Sequence, residues 1–456
     1  MKMTQIAPLA VGLDIGTTKI VAVVGRLEEH GKIDVLGIGK SKSLGVQRGV
    51  VANITLTIES IQSAIKMAEE ASGLKITKVM VGIAGQHIRS MQHSDYIMRD
   101  DAEAIIDVTD LEALKKNVDN LVMMPGEQIL HALPQEYRVD GDSNIINPRG
   151  MYGSRLEANF HIVVGQIASI KNIARCVEQS ELTVGDITLE PLASADAVLG
   201  EDEKDAGVVL VDIGGGTTDI AIFKDGIIRH TAVIPFGGKV ITEDIKEGCE
   251  IIEKQAELLK VKFGSAWPGE NKENEIVSIP GLRGRAPKEI SLKTLSKIIN
   301  ARVKEIIESV VSEINNYQQN DPRKKLIAGI VVTGGGSQLK HMNQLVEYLT
   351  GMPTRIGYPN EHLAGGYLKE LASPVYATSI GLLSMALAEN PETMAYDPNE
   401  IILPEEETEK PVAPETEPEE GDPDQEGSVK AKPRKDPIWK GFVSGIKKWL
   451  EDDDIE

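Results

Sequence analysis

Cysteine is nearly absent: 456 residues contain only Cys176 and Cys249, far apart and in no CxxC pair. That excludes a disulfide framework and makes a reducing cytoplasm the expected compartment. Aromatic residues are scarce, 4% of the chain against 41% hydrophobic, so the core is mostly aliphatic. Such cores suit Val/Ile strands under Ala/Leu helices. The eight histidines show neither HxH nor HExxH spacing, and no metal site built from protein ligands alone is expected. No apolar run reaches the roughly 18 residues of a membrane span. The first apolar run, 6–15, contains Asp14 and reads as a strand rather than a signal peptide. A net charge of -21 argues against generic nucleic-acid binding.

What is present is a repeat. Residues 11–24, VGLDIGTTKIVAVV, and 208–223, VVLVDIGGGTTDIAIF, both read as strand, Gly-Thr turn and strand, sharing V-x-x-D-I-G and T-T. Two copies about 200 residues apart predict two homologous halves facing each other. Helical periodicity is expected over 57–72, 110–121, 241–262 and 291–316, and a β-rich stretch over 129–165. Residues 263–287 read as a small β insertion. Residues 326–339, LIAGIVVTGGGSQL, read as a buried strand, a glycine turn and the start of a helix.

A polyphosphate needs many N–H donors at close range, and glycine lets backbone approach it. Gly16-Thr17-Thr18 and Gly214-Gly215-Gly216-Thr217 each supply one such turn, and Lys19 adds positive charge. Asp14 and Asp212, at the ends of buried strands, are suited to hold waters around a Mg²⁺ that bridges phosphates. Either hairpin alone reads equally as a tight turn with an Asx bond. The pair, with a third turn at Gly334-Gly335-Gly336 followed by Ser337, points to a nucleotide. That third turn contains neither GxGxxG nor GxxxxGK[ST], which disfavours Rossmann and Walker sites.

The order of these motifs resembles the superfamily of actin, sugar kinases and the large heat-shock chaperones. LEPLASADAVLG (189–200) and YATSIGLLSMAL (376–387) look like its two connecting helices. The resemblance implies an α/β, actin-like (ribonuclease H-like) fold with a nucleotide cleft between its halves, binding ATP and Mg²⁺. It implies that Gly237, Gly238, Lys239 and Glu243 approach the adenosine, and that Glu190 lies near the γ-phosphate as a catalytic candidate beside Asp212. Glu190 reads equally well as a carboxylate stabilising a helix start before Pro191. VGIAGQHI (81–88) and residues 131–165 resemble the FtsA family of bacterial cell-division proteins. That resemblance implies a cytoplasmic ATP-binding adaptor, at most a slow ATPase. Such an adaptor polymerises with itself, meets other division proteins and holds FtsZ filaments at the inner face of the cell membrane.

The expected organisation is a first half at 8–83, an inserted subdomain at 84–163, and a return with the connecting helix at 164–205. The second half follows at 206–240, with a small inserted subdomain at 241–325 and the adenosine turn and second connecting helix at 326–390. The FtsZ C-terminal peptide is expected on 241–325, where Arg302 and Lys304 are candidates to receive it. A solvated helix face with Glu305 and Glu308 is the alternative for those two residues. Residues 404–427 hold eleven acidic residues and one Lys with almost nothing aliphatic, so 391–435 reads as a disordered acidic linker. Asp436-Pro437 is a helix start, and 436–451 is expected to form an amphipathic membrane helix. Ile438, Trp439, Phe442, Val443, Ile446, Trp449 and Leu450 fall on its apolar face, with Lys447 and Lys448 among its basic residues. The competing classes are an ATP-driven chaperone, a kinase, and a scaffold for rod shape or pilus assembly. A chaperone would need a C-terminal substrate domain, and a kinase would need a phospho-acceptor.

Overall fold

The computed structural model describes residues 8–28, 31–270, 275–281, 286–319, 324–364, 371–389 and 394–396. The acidic linker and the amphipathic tip, with Ile438, Trp439, Phe442, Val443, Ile446, Lys447, Lys448, Trp449 and Leu450, lie outside the described residues.

Two five-stranded sheets share one topology. In the first, the strands run in the order Thr183–Leu189, Lys78–Ile83, Leu9–Ile15, Lys19–Leu27 and Ile33–Lys42. In the second the order is Gly329–Thr333 flanked by Thr354–Ile356 on one side, and on the other by Val208–Ile213, Thr218–Lys224 and Ile227–Ile234. Each sheet joins a three-stranded antiparallel meander to two parallel strands. The repeat seen in the sequence is therefore a repeat of whole sheets. Leu9–Ile15 and Val208–Ile213 are buried at every position, as continuous apolar central strands require.

The connecting helices, Glu190–Val198 and Ala377–Glu389, cross where backbones nearly touch. A Cβ on Gly381 would collide with the Ala193 carbonyl. Small residues thus fix the crossing point of the two halves. After Ala377–Glu389 the chain returns to the first half, where Ala395–Tyr396 pairs with Lys75–Ile76.

Between the strands Lys78–Ile83 and Thr183–Leu189 lies a separate four-stranded sheet. Its order is Asp142–Ile145, Glu127–Val139, Arg155–Gln166 and Ile88–Met98. Helix Val108–Asp119 covers it over a core that includes Leu114, Val118, Leu156, Phe160 and Ile162. Helices Gly238–Gly248, Glu253–Phe263 and Leu292–Gln318, with the hairpin Ile276–Ile279/Lys288–Ser291, form a smaller unit on the second half.

Three expected boundaries move. The helix expected from 57 begins at Ile54, because Asn53 caps it by accepting the Leu56 N–H at 3.1 Å. The single helix expected over 241–262 is two helices, parted where Glu250 takes φ 48. The turn at Gly334–Gly336 opens one 3-10 turn, Gly335–Gln338, and the α-helix starts only at Met342.

Candidate functional site

A cleft of about 560 Å³ opens between the halves. The strand ends carry Asp14 and Asp212 to its floor, and Gly16, Thr17, Thr18, Lys19, Gly214, Gly215, Gly216 and Thr217 line it. The two hairpins face each other at contact distance. A Cβ on Gly215 would collide with the Thr18 hydroxyl, so glycine there is a requirement of close approach. The Thr17 hydroxyl accepts the Gly49 N–H at 3.1 Å, which tethers a third loop to the first hairpin.

The connecting helices hold the floor carboxylates. Ser379 donates to Asp14 at 3.0 Å, while Ser194 and Thr378 donate to Asp212 at 2.7 and 3.2 Å. Lys19 meets Asp14 at 3.3 Å. Glu190, at the start of its helix, also lines the cleft. Burial, then the neighbouring charges of Asp14, Asp219 and Asp212, push the Glu190 carboxyl well above the carboxylate range. Burial likewise raises Asp212. Burial, with the charge of Asp212, raises Asp219 to about 8. The Thr217 hydroxyl donates to Asp219 Oδ2 at 3.0 Å, while Asp219 Oδ1 is buried with no partner among the described residues. An acidic floor of this kind, short of positive charge, fits a bound cation. Among the described residues no group of three His, Cys, Asp or Glu side chains is arranged to hold a metal ion by itself.

The other sequence candidates divide. Gly238, Gly334, Gly335 and Gly336 line the cleft. Gly334 has φ 79 and sits against Asp212, where any Cβ would collide with the carboxylate. Gly237, Lys239, Glu243 and Ser337 do not line it. Gly237 is packed behind the second hairpin against the Gly214 carbonyl. Lys239 supports that hairpin from its backbone, donating N–H to Gly215 O at 2.8 Å, with its side chain exposed. Glu243 is exposed on the next turn, and Ser337 closes its own turn by donating to Gly334 O at 2.7 Å.

Sequence reasoning missed Asp219, Lys40, Lys42, Glu257 and Lys260, all at the cleft. Lys260 donates to Gly238 O at 2.8 Å and to the Thr242 hydroxyl at 2.7 Å, and pairs with Glu257 at 2.8 Å. Asp219 had a local signal, since it follows the Thr-Thr of the second hairpin. Lys260 had none, because it arrives from a helix of the small unit.

On that small unit Arg302 is already engaged. Its guanidinium takes both Asp244 oxygens at 2.6 and 2.9 Å and also meets Glu305. These partners hold its proton more tightly than usual, the Asp244 hydrogen bond most of all. Lys304 is half-buried and has no ion-pair partner among the described residues.

Residues 209–381 match the family model "Cell division protein FtsA", and 85–164 match "SHS2 domain inserted in FTSA". The cell division protein FtsA of Pseudomonas aeruginosa is 38% identical over 412 residues, covering 90% of this chain and 97% of that one. That of Escherichia coli K12 is 34% identical over 386 residues, covering 82% and 89%. A solved PilM-PilN type IV pilus biogenesis complex matches with a TM-score of 0.61 at 14% identity, over 83% of this chain and 98% of that one, a likeness of fold alone. Among the described residues no helix is long and apolar enough to cross a membrane. With its duplicated sheets, central cleft and inserted four-stranded subdomain, the chain has an actin-like fold and belongs to the FtsA family of cell-division proteins.

Proposed function

We propose that the cleft binds ATP with Mg²⁺, that nucleotide binding supports polymerisation of this chain with itself, and that the polymer holds FtsZ filaments at the inner face of the cytoplasmic membrane during septum formation. One observation carries the nucleotide reading: two glycine-threonine hairpins meet across a cleft whose floor is acidic and whose rim supplies Lys19 and Lys260. Gly16–Thr18 and Gly214–Thr217 would offer N–H and hydroxyl donors to phosphates. Lys19 would turn from Asp14 toward them. Asp14 and Asp212 would hold Mg²⁺ through water, and the ion would neutralise phosphate charge. Gly334–Gly336 would face the adenosine, and Glu190 would stand nearest the terminal phosphate.

Family membership supports the adaptor part, and the pattern of 436–451 supports a membrane contact. The negative 451–454 stretch beside that pattern makes single-helix affinity modest, so avidity from a polymer would make the contact firm. Lys304 is better placed than Arg302 to receive an acidic peptide, because Arg302 must first leave Asp244.

The test is co-sedimentation with anionic vesicles in the presence of Mg–ATP, comparing the full chain with one ending at Lys435. The expected result is that only the full chain pellets, and that FtsZ pellets with it. If both chains pellet equally, the tip is not the anchor. If neither does, the membrane reading fails.

A further inference from the structure

One strand of the inserted sheet, Glu127–Val139, touches both halves of the molecule. Pairing with Arg155–Gln166 skips Leu130 and again skips Gln135, so the strand carries two bulges. Each extra residue re-aims the side chains around it. Ile129, Ala132, Tyr137 and Val139 all pack on the insert's own core, a set that strict alternation would split. The bulges free His131 and Gln135 to face the body of the molecule.

His131 Nε2 accepts the Leu189 N–H at 3.1 Å. Leu189 is the N-cap of the helix that begins with Glu190. Burial, then the Lys115 charge, lowers His131 to about 4, so its ring is neutral and Nε2 can accept. At the other bulge Gln135 Nε2 donates to the Ile228 and Arg229 carbonyls at 2.7 and 3.2 Å. These belong to Ile227–Ile234, the edge strand of the second half. Ser90 adds a bond to Thr231 O at 2.8 Å, and Gln92 one to Arg229 O at 3.1 Å. Side-chain donors thus serve edge carbonyls that no sixth strand among the described residues pairs. The same edge strand pairs with Thr218–Lys224, where Val233 lies opposite Asp219.

We propose that His131 and Gln135 form a strut joining the two walls of the cleft from behind, so that the inserted subdomain positions Glu190 against the second hairpin and registers the nucleotide between them. His131 and Gln135 are positioning residues: neither lines the cleft. The proposal rests on the nucleotide reading above. It makes the insert more than an appended interaction module, because ordering of the cleft by nucleotide propagates into Glu127–Val139.

Hydrogen exchange on the full chain, with and without saturating Mg–ATP, tests this in wild type, His131→Leu, His131→Gln and Gln135→Leu. Dissociation of a fluorescent ATP analogue and thermal melting are measured alongside. In wild type, nucleotide should slow exchange at 14–18, 214–217, 127–139 and 227–234. In His131→Leu and Gln135→Leu the hairpins should still be protected, protection at 127–139 and 227–234 should vanish, and the analogue should leave about fivefold faster, as expected for one lost hydrogen bond. His131→Gln keeps an acceptor and should behave as wild type. The strut is overturned if nucleotide protects the hairpins while 127–139 never responds. It is equally overturned if the variants only melt earlier, with protection and release unchanged. Failure of wild type to bind the analogue at all overturns the nucleotide reading and the strut together, an outcome told apart by unprotected hairpins.

Discussion

The cleft and the joint behind it are built from similar polar material and treat it in opposite ways. In the cleft, Asp219 keeps one oxygen buried without a partner, and Glu190 and Asp212 are pushed toward their protonated forms, burial being the largest cause. At the joint, His161 is bonded at both ring nitrogens, by Gln92 at 3.2 Å and Thr231 at 2.9 Å, and Gln135 serves two carbonyls. A site that waits for a ligand leaves polar groups unserved. At the joint His161 and Gln135 already have their partners, and Thr188 Oγ1 beside Leu189 is the exception, buried without one among the described residues.

Breaking the cleft should have the largest effect. Gly215→Val drives a side chain into Thr18 and should weaken nucleotide binding by at least about 100-fold, or ~3 kcal/mol, in an equilibrium titration.

The joint should be the acid-labile side. Burial holds His131 and His161 at about 4, below their ordinary 6.5. The unfolded chain therefore binds more protons than the folded one between those values. Their contribution to stability is full above pH 6.5 and is lost as pH falls toward 4. Lys115 beside His131 and His230 beside His161 add to the shift, while Glu313 pairs with His230 at 2.9 Å. Urea midpoints across that range should fall, and His161→Gln should flatten the fall.

The contrast sharpens in a pair of substitutions read by urea unfolding without ligand. His161→Leu leaves Gln92 and Thr231 without their partner and should cost about 2 kcal/mol. Asp219→Asn removes a buried carboxylate without a full set of partners and should stabilise the free chain by about 1 kcal/mol, while weakening Mg–nucleotide binding. Arg302→Ala should lower stability by about 1 kcal/mol through its Asp244 pair. Lys304→Ala should leave stability unchanged and reduce binding of an acidic peptide.

Much of this was legible in the chain. The Asp-Ile-Gly and Thr-Thr repeats mark both hairpins because close backbone approach restricts residue type locally. The hydroxyls of Ser194, Thr378 and Ser379 carry no local mark: they matter only because two helices 180 residues apart cross over the strand ends. Lys260 arrives from a separate helix, and the break that aims it has only Gly248, two residues before the left-handed Glu250, to announce it. The Glu127–Val139 bulges are invisible to a period-two reading, which sees only a long alternating stretch.

The return of the chain to its starting half has a mechanical meaning. Met394 donates N–H to Leu9 O and accepts from Thr77, and Ala395–Tyr396 pairs beside them. Leu9 begins the strand whose other end holds Asp14. Tension on whatever follows residue 396 therefore meets these hydrogen bonds at the base of the first half before it reaches the connecting helix Ala377–Glu389. A pull from that end loads the first sheet like a post set in its footing, rather than prying the cleft open.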